Sequence, residues 1–418
     1  MSLDVPDLSP RRSQPATTAA ATASARQSTL RESNLALVVR TVAAAAEAPS
    51  RAEVAAATGM TRATASRLVD ELVRAGIVDE IERPAVLRRG RPMTPLVAGS
   101  RIVALGLQVD AGFLAARLVD LRGQTLAEHL QPADLAGSDP APAFVRLGSA
   151  SEALLARLPP DVRLIGAGLA LPGIVDQETG RLLHAPNLGW SDLDPADLLG
   201  STLAGLPLTV GNEADLAAAT VSHHAPGRAG KLSDFLYLSG EIGIGGAAVR
   251  GGQVVTGRHG WAGEIGHVCV DPNGPPCRCG STGCLEQYAG RHALTTAAGL
   301  TPDTPADQLT ELARNGHRTA QTAITRAARA LGIALASTMN ILDIPTVVLG
   351  GYLATLTPLL RPDVEEILQG RVLSARWISP TVRAHPQPTA PAATGAAFRR
   401  LAAVVADPAR WTAGPHRR

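Results

Sequence analysis

The sequence predicts an α/β protein of two lobes, preceded by a small all-α unit that carries a β-wing. Three observations predict it. Residues 28–97 hold three helical stripes, the second and third each with its own cap, and end on a strand and a basic tip. From residue 98 onward, strands followed by helices occur twice over, the pattern of two α/β lobes with a cleft between them. Within the second cycle a single stretch, Gly260 to Gln287, gathers all four cysteines of the chain.

Size and composition agree with this division. A chain of 418 residues exceeds what one hydrophobic core serves, and 45% hydrophobic residues are ample for several. The net charge is only +2, so a nucleic-acid partner requires a local basic patch. Aromatic residues are 3%, too few for a base-stacking platform. No apolar run reaches the length of a membrane span, and nothing at the N-terminus reads as a secretory signal, so a cytoplasmic protein without a membrane partner is expected.

Residues 1–27 are Ala, Thr, Ser, Pro and Arg with almost no large apolar side chains, the composition of a disordered tail. A first amphipathic helix follows, with Leu30, Leu35, Leu37, Val38 and Val42 as its stripe. Ser50 and Glu53 form a capping box for a second, short helix. Thr58-Gly59-Met60 is a turn, and Thr61 caps a third helix whose stripe is Ala65, Leu68, Val69, Leu72 and Val73. This is a helix-turn-helix, and the wing after it carries Arg83, Arg88, Arg89 and Arg91. The opposite face of the third helix offers Arg62, Thr64, Ser66 and Arg67 to base edges or phosphates in a major groove. Arg89-Gly90-Arg91 suits a narrow minor groove, where negative potential is enhanced.

Pro92, Pro95 and Gly99 punctuate the exit to a third region, residues 98–418. A β-meander is expected over Ile102–Val109, Leu114–Leu121 and around Leu126, then a helix over Phe144–Leu158 and a buried strand over Leu164–Leu171. A strand at Leu208–Val210 leads into a helix from Glu213. The second cycle has strands at Phe235–Leu238, Ile244–Val249, Gln253–Thr256 and Thr346–Leu349, and helices over 318–342, 352–369 and 394–405.

Within Gly260–Gln287, Cys277, Cys279 and Cys284 fall in C-x-C-x4-C order, with His267 ahead of them. Three thiolates and an imidazole make the tetrahedral donor set of a structural Zn2+ ion, so a zinc loop is expected at 264–286. A disulfide framework is the rival, disfavoured in a reducing compartment. Cys269, alternating with Val268 and Val270, reads as a half-buried strand thiol.

The run Gly263-Glu264-Ile265-Gly266-His267 with the Cys277–Glu286 segment resembles the ROK family, named for repressors, open reading frames and kinases. Leu171–Asp176, Ala185–Trp190 and Val347–Gly351 extend the resemblance, and the helix-turn-helix points to the repressor branch. The resemblance implies two actin-like, ribonuclease-H-like lobes. It also implies a sugar site at Asn212, Glu213, Glu264, His267 and Glu286, where carboxylates and amides pair with vicinal hydroxyls. Family kinases use an Asp where Glu213 stands and a D-x-G-G-T phosphate loop where this chain has Gln108 to Gly112. In the second loop, Gly243-Ile244-Gly245-Gly246, Ile242 stands where a threonine is expected. The expected function is therefore a transcriptional repressor, a homodimer or dimer of dimers on palindromic operator DNA, answering to a sugar effector without kinase activity. The alternative is an ATP-dependent sugar kinase of the ROK type carrying an added DNA-binding module.

Overall fold

The computed structural model describes residues 18–82, 94–385 and 389–412. Helix α1 (Thr18–Ala44) begins earlier than expected, so the residues from Thr18 that were assigned to a disordered tail are helical. The segment is rich in alanine, the strongest helix former, and extending a helix already nucleated by packing costs little. The rest of the expected tail, 1–17, lies outside the described residues. Leu35, Ala36, Val38, Val39 and Val42 form the buried face of α1, whereas Leu30 and Leu37 are exposed.

Helix α2 (Arg51–Thr58) starts in the expected capping box and ends at Gly59, whose φ of 69° is the left-handed conformation that a C-cap glycine supplies. Helix α3 (Arg62–Arg74), capped by Thr61, buries Ala65, Leu68, Val69 and Leu72. Strand β1 (Val78–Glu80) pairs antiparallel with β2 (Leu96–Ala98). The wing arginines Arg83, Arg88, Arg89 and Arg91 lie outside the described residues.

Lobe I begins with the expected meander, β3 (Ile102–Val109), β4 (Phe113–Asp120) and β5 (Thr125–Pro132). After α4 (Pro140–Leu155), β6 (Arg163–Leu171) lies parallel to β3. A small sheet of β7 (Ile174–Val175), β8 (Leu182–Ala185) and β9 (Trp190–Leu193) follows, then α5 (Pro195–Leu199) and β10 (Leu208–Asn212), parallel to β6. The sheet order is β10-β6-β3-β4-β5. Helix α6 (Glu213–Ser222) then runs into the hairpin β11 (His223–Ala225) and β12 (Arg228–Ala229).

Lobe II repeats the plan. Strands β13 (Phe235–Gly240), β14 (Ile244–Arg250) and β15 (Gln253–Val254) form its meander, β15 stopping short of the expected Thr256. The cysteine stretch and helices α7 (Glu286–Ala289), α8 (Arg291–Ala297), α9 (Ala306–Arg314) and α10 (Arg318–Leu342) precede β16 (Thr346–Gly350). Helix α11 (Gly351–Arg371) and β17 (Thr381–Ala384) complete the order β15-β14-β13-β16-β17. Both lobes thus carry a three-strand antiparallel meander flanked by two parallel strands, the ribonuclease-H-like arrangement.

Helix α12 (Pro391–Ala406) returns the chain to lobe I, and α13 (Ala409–Thr412) follows. Its approach is close: a Cβ at Gly106 would stand 1.9 Å from the Ala393 carbonyl oxygen, and one at Gly168 2.3 Å from that of Ala396. Phe398, Leu401 and Val404 of α12 share one buried cluster with Leu35 and Val38 of α1, Leu72 of α3 and Ile102 of β3. Asp79 of β1 adds polar ties, accepting from the Ser100 amide and from Arg122. The helix-turn-helix unit and lobe I therefore have a common core.

Candidate functional site: a polar cleft beside a cysteine–histidine cluster

The lobes meet at a cleft whose lining includes all five residues expected for a sugar: Asn212, Glu213, Glu264, His267 and Glu286. Asn212 ends β10 and caps α6, its Oδ1 accepting from the amides of Ala214 at 2.7 Å and Asp215 at 3.2 Å. Its Nδ2 donates to the Gly173 carbonyl at 2.9 Å, which leaves one amide hydrogen for the cleft. Glu213 is thereby held at the first turn of α6.

The opposite wall comes from the cysteine stretch. His267 Nδ1 lies 3.7 Å from Cys277 Sγ, and its Nε2 lies 3.9 Å from a Glu264 oxygen. Cys279 and Cys284 bring their sulfurs to 3.7 Å. The ligand atoms of His267, Cys277, Cys279 and Cys284 all lie within 4.8 Å of one another, a cluster able to hold a metal ion. The fourth thiol departs from expectation: Cys269 is exposed and makes a lone antiparallel bridge to Cys284, because the chain here winds around the cluster and forms no strand. Glu286 is 4% exposed and works on both sides. Its Oε1 accepts from Cys277 Sγ at 3.1 Å, and its Oε2 from Asn187 Nδ2 at 3.3 Å.

The glycines of 243–246 make room for this polar wall. A Cβ at Gly243 would stand 2.3 Å from Glu286 Oε2 and 2.4 Å from Asn187 Nδ2, and one at Gly245 would press on Ala214. Asn187 was quoted from the sequence only as part of a matching run, with no role attached.

The cleft also holds two further acids. Asp110 lies in the altered first loop, where the sequence reading has it repel a triphosphate, and Glu241 carries no motif signal in the sequence. Asp110 is 3% exposed, its Oδ1 accepting from the Gly112 amide at 2.7 Å. Burial raises its pKa to about 6 against that hydrogen bond and the Arg291 guanidinium. Burial likewise raises Glu241 to about 8. Glu213 is pushed well above the usual carboxylate range, first by burial and then by the charges of Asp110, Glu241 and Glu264. Its Oε2 is enclosed with no hydrogen-bond partner, as is Arg291 Nε. Burial also raises Glu264, with His267 opposing and Glu286 adding to the shift. Gln108 is buried at the outer end of the cleft, its Oε1 accepting from the Ala393 amide at 3.2 Å.

At the head of α3, Arg62 and Arg67 are exposed, and Thr64 is half-buried with its hydroxyl 2.9 Å from that of Thr61. Ser66 is turned inward: its hydroxyl and carbonyl both accept from Arg51 of α2. The exposed face at the head of α3 is therefore Thr61, Arg62, Ala63 and Arg67, and Ser66 serves the contact between the two helices. Among the described residues no helix is long and apolar enough to cross a membrane.

A helix-turn-helix fused to two ribonuclease-H-like lobes around a polar cleft, flanked by a cluster able to hold a metal ion, defines a class of regulator and kinase-related proteins. Residues 105–400 match the ROK family, and residues 33–81 match the IclR helix-turn-helix domain. The chain belongs to the ROK family. A putative xylose repressor of Caldicellulosiruptor sp. (strain Rt8B.4) is 30% identical over 345 residues, covering 78% of this chain and 85% of that protein. The DNA-binding transcriptional dual regulator NagC of Escherichia coli (strain K12) is 24% identical over 346 residues, 80% of this chain and 84% of its own. A glucokinase of Halalkalibacterium halodurans is 34% identical over 205 residues, 45% of this chain and 61% of its own. The fold matches a crystal structure of a ROK family transcriptional regulator, a homologue of the E. coli MLC protein, with a TM-score of 0.71 at 22% identity, over 92% of this chain and 99% of that one.

Proposed function

We propose that this protein is a cytoplasmic transcriptional repressor whose affinity for operator DNA is set by a sugar bound between its lobes, and that it does not phosphorylate that sugar. The observation that carries the reading is the core shared by the helix-turn-helix unit and the sugar-binding lobe. Helix α6, which starts at the ligand residues Asn212 and Glu213, runs straight into the β11–β12 hairpin. At the tip of that hairpin, a Cβ on Gly227 would meet Val405 of α12 at 2.9 Å and Ala43 of α1 at 3.2 Å. A shift of α6 on closure of the cleft is thus delivered to the first helix of the DNA-binding unit. The sugar regulates only to the extent that it binds the two arrangements with different affinity.

In this reading Asn212, Glu213, Glu264, His267 and Glu286 hold the sugar, joined by Asn187. Arg62 and Arg67 contact DNA together with the wing arginines Arg89 and Arg91, with Thr64 at the edge of the interface. Two copies present their recognition helices to a palindromic site. The metal is Zn2+: tetrahedral Zn–S bonds of about 2.3 Å require sulfur separations of about 3.8 Å. The Cys279–Cys284 separation of 3.7 Å meets that requirement. His267 Nδ1, 3.7 Å from Cys277 Sγ, would hold the ion together with the three thiolates, and the ion would supply a fixed positive charge while Nε2 would stay free for the cleft. Kinase chemistry is opposed by Gln108, committed to Ala393, and by the acids that stand where a triphosphate would need cations.

The test is DNA binding by the full chain to genomic fragments that it selects, titrated with and without a panel of pentoses, hexoses and N-acetylhexosamines. Release of DNA by at least one sugar is expected. Sugar-dependent ADP formation from ATP would overturn the reading in favour of a kinase.

A further inference from the structure

A second cavity, of about 350 Å³, lies behind α6 and has none of the five sugar residues in its lining. Asp215, Leu216 and Ala219 face it, about half a turn around the helix from Glu213, Ala214 and Ala217, which face the outer end of the cleft. Further walls come from the β11–β12 hairpin, from α12 and from β15 of lobe II. Leu216, Pro226, Val254 and Phe398 make the interior largely apolar. A carboxyl and a guanidinium stand among them. Asp215 is 8% exposed, and its Oδ1 is enclosed with no hydrogen-bond partner among the described residues. Burial raises its pKa to about 7, with the Glu264 charge adding to the shift and the Arg399 charge opposing it. Arg399 is exposed at the rim, its Nη1 donating to the Val210 carbonyl at 3.4 Å. Burial lowers the His223 imidazole below its usual range, so it is uncharged at neutral pH, and its Nδ1 lies 2.9 Å from the Ser222 hydroxyl.

We infer that this cavity is a second ligand site, which takes a small molecule with a cationic amine head and an apolar body, Asp215 receiving the ammonium. A buried carboxyl without a partner is costly, and an ammonium relieves that cost with both charge and N–H donors. At neutral pH Asp215 is poised between its two forms, and a cation in contact with it selects the carboxylate. The body of the ligand leaves water for the wall of Leu216 and Phe398. An anion would find only the rim guanidinium, with the carboxyl behind it. Arg399 separates two sources of the same head group, because an amino acid brings a carboxylate for it and a simple amine does not. The position of the site gives it a consequence. An occupant packs at once on α6, the hairpin and α12, and on β15 of lobe II, so it fixes the elements whose shift carries the sugar signal to α1. That consequence rests on the repressor reading; the ligand site does not.

The experiment is calorimetric titration of the full chain, free of sugar, with phenethylamine, L-phenylalanine and 3-phenylpropionate, which share one apolar body. Phenethylamine or L-phenylalanine is expected to bind, with 3-phenylpropionate at least about tenfold weaker. Asp215→Asn is expected to weaken the amines by at least about tenfold. Ala402→Trp fills the mouth from the exposed side of α12, leaves Asp215 in place, and is expected to abolish binding at unchanged melting behaviour. Tighter binding of L-phenylalanine identifies an amino acid that uses Arg399, and tighter binding of phenethylamine a simple amine; both support the site. No binding of either amine up to about 10 mM overturns the inference, as does equal binding to wild type and both variants, or a preference for 3-phenylpropionate. DNA affinity at saturating amine is a separate arm, with a change of at least about threefold expected. An unchanged affinity removes the regulatory consequence and leaves the site. Loss of the sugar response leaves the amine titration untouched, so failure of the repressor reading is told apart from failure of this one.

Discussion

Lobe I and lobe II share one strand order, yet they use it for different ends. In lobe I the fifth strand, β10, hands the chain to Asn212 and α6, and α12 clamps the sheet to the helix-turn-helix through Phe398, Leu401 and Val404. In lobe II the space after the meander is given to a loop with little regular structure, organised around His267, Cys277, Cys279 and Cys284, and the core closes on α10 and α11, its buried cluster including no residue of α1–α3 among the described residues. One lobe packs on the helix-turn-helix unit and the other carries the cysteine–histidine cluster. Repeated folds diverge in this way because the sheet core is a packing solution, while function resides in whatever the connections carry.

That contrast can be broken experimentally, most severely at the metal loop. Cys279→Ser is expected to reduce metal content from one ion per chain to none and to abolish the sugar response while lobe I stays folded. Structural zinc contributes on the order of 10 kcal/mol where it organises a short chain, so the loop loses its order. Elemental analysis together with sugar titration checks this, and retained sugar binding would sink the bracing role.

Next in size is a matched pair of core truncations. Leu401→Ala and Leu335→Ala each remove a side chain that is 0% exposed, one at the junction of lobe I with the DNA-binding unit and one inside lobe II. Each is expected to cost about 2–5 kcal/mol in chemical unfolding. Only Leu401→Ala should also weaken DNA binding under conditions where both variants remain folded. Equal losses would mean that lobe II is coupled to DNA as tightly as lobe I.

A smaller effect is expected from Arg67→Ala, which leaves the buried stripe of α3 intact. Binding should weaken across sequences, and the slope of log affinity against log salt should fall by about one phosphate contact. An unchanged slope would put Arg67 in solvent.

The smallest and most diffuse effect is pH dependence. Asp110 at about 6 and Glu241 at about 8 are raised above their unfolded values, so between pH about 4 and 8 the folded state binds more protons than the unfolded state. Their contribution to stability is present at low pH and is lost as pH rises through that window. The melting temperature of Asp110→Asn/Glu241→Gln relative to wild type should therefore climb as pH rises from 5 to 8. A flat difference would mean that the two acids are not enclosed as described.

Much of the fold was legible because its signals are local. The Ser50–Glu53 box, the Thr61 cap and the stripe Ala65–Leu72 need only a few neighbouring residues to act, and they bound α2 and α3 correctly. The spacing of Cys277, Cys279 and Cys284 likewise constrains a donor set before any tertiary contact forms. Burial and pairing are long-range properties that no local pattern carries. Leu30 and Leu37 fit the helical period of α1 but face solvent, and Ser66 sits on the apparent recognition face yet bonds to Arg51 of another helix. Cys269 alternates like a strand residue and is exposed.

The candidate site divides along the same line. Its metal donors and its matching runs could be read from residue order alone, since each lies within one segment. Only the tertiary structure decided that Asp110 from lobe I, Glu213 at the head of α6 and Glu241 from lobe II stand together, well over a hundred residues apart at the extremes. It also decided that Gln108 is committed to α12, and that Glu286 serves both the cysteine cluster and the cleft. The charge of a pocket is a sum over groups from distant segments, and it exists only once folding has removed the water between them.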